Sequence, residues 1–72
     1  MITYKRISNV NGRLQYEYYP NGDLSAPGIV EFVKGERPKL IHKSSKDVKM
    51  YFAIHALNGI DTTKETGTIA WN

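Results

Sequence analysis

Arg13-Leu14-Gln15-Tyr16-Glu17-Tyr18-Tyr19-Pro20-Asn21-Gly22 contains the clearest strand of the chain, and the rest of the architecture reads outward from it. Leu14, Tyr16 and Tyr18 fall on one face, while Arg13, Gln15, Glu17 and Tyr19 fall on the other. That is the alternation of an antiparallel strand with one buried side. Pro20-Asn21-Gly22-Asp23 closes it with a strong turn signal. Upstream, Asn11-Gly12 supplies the two positive-φ positions of a type I′ turn, so the preceding run, with Ile2 and Tyr4 on a shared face, pairs back as a hairpin. Downstream, Pro27-Gly28 bends the chain into Ile29-Val30-Glu31-Phe32-Val33, a third strand. Gly35-Glu36-Arg37-Pro38 breaks it before Lys39-Leu40-Ile41-His42-Lys43, a short edge strand with lysines at its ends.

The pattern then changes period. Ser44 or Ser45 is the expected N-cap of a helix, with Asp47 in its first turn, and the helix is expected to run to about Asn58. Gly59 reads as a left-handed stop with Ile60 folding back. After a polar loop, Gly67-Thr68-Ile69-Ala70-Trp71 alternates as a last strand. The predicted fold is therefore α+β: a four- or five-stranded, mainly antiparallel sheet packed on one helix, in the order β-β-β-β-α-β, forming a single domain over residues 1–72.

Composition narrows the function. The 72 residues include no cysteine, which removes disulfides, thiolate metal sites and thiol nucleophiles. The run Met1 to Arg6 has no apolar core of a secretory signal and no stretch is long enough to span a bilayer, so a cytoplasmic location without membrane attachment is expected. His42 and His55 lie on different elements, with no further ligand at metal spacing. No phosphate loop and no Gly-x-Ser-x-Gly elbow is present. The one catalytic arrangement worth weighing is Asp47-x3-Tyr51-x3-His55 along a helix flank, and a half-buried structural histidine is the preferred reading of it. The expectation is a protein that is not an enzyme, with no cofactor, no metal and no small-molecule substrate.

Two binding surfaces remain. A net charge of +3 and a pI near 9.3 suit a nucleic-acid partner, contacted through Lys39, Lys43, Lys46 and Lys49 with tyrosines as stacking platforms. Tyr4, Tyr16 and Tyr18, however, share parity with aliphatic residues and read better as core. The stronger signal is the helix. At about 100° per residue, Val48, Phe52 and Ala56 fall on one side, Met50, Ile54 and Leu57 on the other, and Tyr51 between. One small sheet covers one side only, and the second is covered either by loops and the C-terminal strand or by a partner. Met50, Tyr51, Ile54 and Leu57 are thus the candidate contacts for a protein partner or a second copy in a homodimer.

Taken in order, Tyr16-Glu17-Tyr18-Tyr19-Pro20-Asn21-Gly22-Asp23, Pro27-Gly28-Ile29-Val30, Tyr51-x3-His55-Ala56-x3-Ile60 and Gly67-Thr68-Ile69-Ala70-Trp71 resemble a family of small uncharacterised proteins from Gram-positive bacteria and their phages. The resemblance implies an intracellular bacterial or prophage setting and a recurring structural role for His55 and Trp71. It brings no activity. The basic middle segment, Lys34 to Lys49, departs from the longer and more acidic one of that family.

Overall fold

The computed structural model describes residues 1–71 and has the predicted α+β architecture. Five strands, β1 (Ile2–Val10), β2 (Arg13–Pro20), β3 (Gly28–Val33), β4 (Lys39–His42) and β5 (Thr66–Ile69), form one antiparallel sheet in the order β4-β3-β2-β1-β5. A single helix, α1 (Tyr51–Gly59), packs on one face. The hairpin turn is where the sequence puts it, with Asn11 at φ 52° and Gly12 at φ 77° bringing Val10 opposite Arg13. A register shift between Arg6 and Ser8 makes Ile7 an extra residue in β1, beyond the stretch Ile2–Lys5 that pairs with β5.

The helix-facing side of the sheet carries Ile2 and Tyr4, Leu14, Tyr16 and Tyr18, Val30 and Phe32, Leu40, and Ile69. Tyrosine dominates its centre because the neighbouring strands supply room for the rings. Tyr18 lies opposite Gly28, where an added Cβ would stand 2.1 Å from its Cε1, and Tyr4 lies opposite Gly67, where a Cβ would stand 2.3 Å from its hydroxyl. Each ring occupies the space of a side chain that the glycine lacks. Tyr4 and Tyr16 then meet edge to face, with centroids 5.7 Å apart, and Tyr16 meets Phe32 at 5.9 Å.

The three hydroxyls explain why these residues are not phenylalanine. Each reaches past the apolar layer to a segment flanking α1. Tyr18 Oη donates to Asp47 (3.1 Å) and accepts from the Ser44 amide (3.1 Å) before the helix. Tyr4 Oη accepts from the Asp61 amide (3.3 Å), and Tyr16 Oη donates to the Lys64 carbonyl (2.7 Å), after it. The helix is fastened to the sheet at both ends. Between the fastenings Ala53 and Ala56 are fully buried, and Phe52 and Leu57 pack against the same core.

Two expectations about α1 are corrected. It starts at Tyr51, so neither Ser44 nor Ser45 is its N-cap, and Val48 lies outside it in a turn. The hydroxyl of Ser44 is spent elsewhere, donating to the Ala26 carbonyl (2.5 Å) and accepting from the Lys46 amide (3.2 Å). Gly59 is also not left-handed. It is the last helical residue, Ile60 caps with φ −66°, and the Ile60 amide reaches the Ala56 carbonyl (3.2 Å). Glycine suits position 59 because a Cβ there would stand 3.0 Å from Ile69 Cδ1.

Candidate functional site on the outer side of the helix

The site begins with a buried carboxylate. Asp47, fully buried, accepts from the Ala53 amide (2.8 Å) and the Tyr18 hydroxyl through Oδ2, and from the Phe52 amide (3.2 Å) through Oδ1. It satisfies two first-turn amides and places negative charge at the positive end of the helix. Burial, more than the Asp47 bond, pushes the Tyr18 hydroxyl up to about 12, although the Ser44 amide pulls the other way, so Tyr18 stays a donor. Lys43 Nζ closes the loop on the Asp47 carbonyl (3.0 Å).

This cap acts across a turn, not from the residue next to the helix. Met50 links the two in a left-handed conformation, φ 62° and ψ 13°, which is unfavourable for a residue with a Cβ and is held by the bonds on either side of it. The chain therefore enters α1 with its large side chains turned outward. Val48 is 81% exposed, Tyr51 62%, Ile54 47% and Met50 41%. Of the four predicted contacts, Met50, Tyr51 and Ile54 lie together on this outer side. Leu57 is half-buried and packs against the core, so it borders the surface without belonging to it.

The Asp47, Tyr51 and His55 arrangement is not assembled. Asp47 precedes the helix and is enclosed, Tyr51 faces solvent, and His55 stacks on Trp71 with ring centroids 3.8 Å apart and planes 10° apart. Trp71 also meets Phe52 edge to face at 5.8 Å, so it fastens the end of the described chain to the helix. Among the described residues no three histidine or acidic side chains gather to hold a metal ion. A shallow cleft of about 370 Å3 lies away from these groups, lined by Gly12, Leu14, Phe32, Val33, Lys34 and Thr62.

The lysines of the basic surface are largely engaged within the chain. Lys39 Nζ pairs with Glu36 at 3.4 Å, Lys46 with Asp23, and Lys43 with the Asp47 carbonyl. The Lys46 ammonium and the Ser25 bonds hold the Asp23 carboxyl well below the usual range. Lys49 is exposed and makes no ion pair among the described residues. At the opposite end of α1, Asp61 is exposed, and its Oδ1 accepts from the Thr63 hydroxyl (2.6 Å) and amide (2.9 Å), which lower its pKa.

Sequence reasoning missed the part played by Asp47 and the conformation of Met50. The available signal was Tyr18 at the end of a strand opposite Gly28, whose ring reaches beyond the sheet and so calls for a polar partner. No helix among the described residues is long and apolar enough to cross a membrane. No protein-family model, curated protein or solved structure matches this chain.

Proposed function

We propose that this chain is a non-enzymatic protein-interaction module that docks a protein partner or a second copy through the outer side of α1. In the bacterial or prophage setting that the family resemblance implies, it acts by covering or occluding that partner. One observation carries the reading: Val48, Met50, Tyr51 and Ile54, four large apolar side chains close together in the chain, are all left to solvent, while Phe52, Ala53, Ala56 and Leu57 pack toward the core. Scattered exposed apolar residues need no explanation, but a contiguous group of them marks interaction sites. The buried carboxylate supports the same reading, because Asp47 is consumed by bonds to Tyr18, Phe52 and Ala53 and is shielded from any substrate.

The test places a photo-crosslinking residue at position 51 in cells, with position 15 on the opposite face of the sheet as the control. The reading expects a discrete protein adduct from position 51 that Ile54→Glu abolishes. Equal labelling from both positions, or no adduct from position 51, would overturn it.

A further inference from the structure

We infer that the partner is a second copy of this chain, docked by antiparallel packing of the two α1 outer sides about a two-fold axis near Ile54, with Lys49 of each copy meeting Asp61 of the other. The inference rests on the docking surface proposed above and adds its occupant, for which charge and size both argue.

The charges at the two ends of α1 are opposite. Lys49 stands just before the helix, exposed and without an ion pair among the described residues, and Asp61 stands just beyond its end, exposed and held ionised by Thr63. The first turn holds no acidic residue and the last turn no basic one. An antiparallel pairing brings each Lys49 to the other copy's Asp61 and to the negative end of its helix, forming the favourable contact twice. A parallel pairing would instead set Lys49 against Lys49. The charges therefore choose the direction of packing as well as its occupant.

The size agrees. The exposed portions of Val48, Met50, Tyr51 and Ile54 amount to roughly 400 Å2. A stable interface needs about 800 Å2 from each partner, of which a little over half is apolar. Lys49, Asn58 and Asp61, all exposed, are the polar residues that the antiparallel pairing would bring to its rim. The small core of a chain this short gives the association a role in stability as well.

Sedimentation velocity across a concentration series of the full chain tests the inference. The wild type is expected to dimerise reversibly, and Ile54→Glu to stay monomeric while keeping its circular dichroism spectrum. Lys49→Glu and Asp61→Lys should each raise the dissociation constant about tenfold or more, because both contacts become repulsive. An equimolar mixture of those two variants restores both opposite-charge contacts and should dimerise about as well as the wild type, as should the double variant Lys49→Glu/Asp61→Lys. A wild type monomeric at every concentration, or a mixture no stronger than its components, would overturn self-association. If position 51 then crosslinks to a different protein, the docking surface stands without the second copy; if it crosslinks to nothing, both readings fall.

Discussion

The two sides of α1 divide its apolar residues, with Phe52 and Leu57 packed toward the core at the edges of the inner side. Its inner side presents Ala53 and Ala56, fully buried, and its outer side presents Met50, Tyr51 and Ile54, each more than two-fifths exposed. Large apolar side chains ordinarily turn inward, since burying one is worth about 1.5–3 kcal/mol. Here the sheet already fills the core. Tyr4, Tyr16 and Tyr18 rise from β1 and β2 into space left by Gly28 and Gly67, and their hydroxyls fasten the segments on either side of the helix. Directly over the rings stand Ala53 and Ala56, with Phe52 and Leu57 packed to their sides. The contrast separates two regions: the ends and inner side of α1 hold the fold, and the large residues of its outer side stand outside the core.

The comparison breaks most readily at the buried cap. Asp47→Ala would leave the Tyr18 hydroxyl and two helix amides without an acceptor, a loss of about 4 kcal/mol that should unfold most of the protein at room temperature, read by urea titration. A smaller effect comes from pH. Burial raises both Tyr18 and Tyr19 from 10.0 to about 12, with Asp47 and Glu17 respectively adding to it. The folded chain keeps these two protons while the unfolded chain releases them at its ordinary tyrosine pKa. Their contribution is complete below pH 10 and is lost as pH rises toward about 12. Urea midpoints measured along that range should fall steadily, and a flat profile would mean that neither hydroxyl is enclosed as described. Smallest is the effect of Met50→Gly. Glycine adopts φ 62° without the Cβ conflict, so the variant should be unchanged or more stable by about 0.5 kcal/mol despite losing a large apolar side chain, as thermal denaturation would show.

The strands were legible because their signals are local. Alternation from Arg13 to Tyr19, the Asn11-Gly12 pair and the Pro27-Gly28 bend each act over a few residues, and the observed register follows from them. The start of the helix was not legible, because Val48 and Met50 extend the apolar periodicity backward while Asp47 caps from beyond a left-handed residue. A cap rule that looks one position ahead places the helix too early. The surplus of apolar side chains around the helix was readable from the sequence, and with it the exposure of Met50, Tyr51 and Ile54. The burial of Leu57 depended on how α1 is rotated over the sheet, which its own residues do not encode.

Whether the outer side of α1 holds the fold is tested most directly by the urea midpoint of Tyr51→Ser/Ile54→Ser, measured beside the wild type and Ala53→Leu at low micromolar concentration, where association contributes little. The outer-side double variant should match the wild type within about 0.5 kcal/mol, while one inner methyl enlarged to leucine costs about 2 kcal/mol against the tyrosine rings. A double variant destabilised as much as Ala53→Leu would contradict the account, because the outer side chains would then be holding the fold.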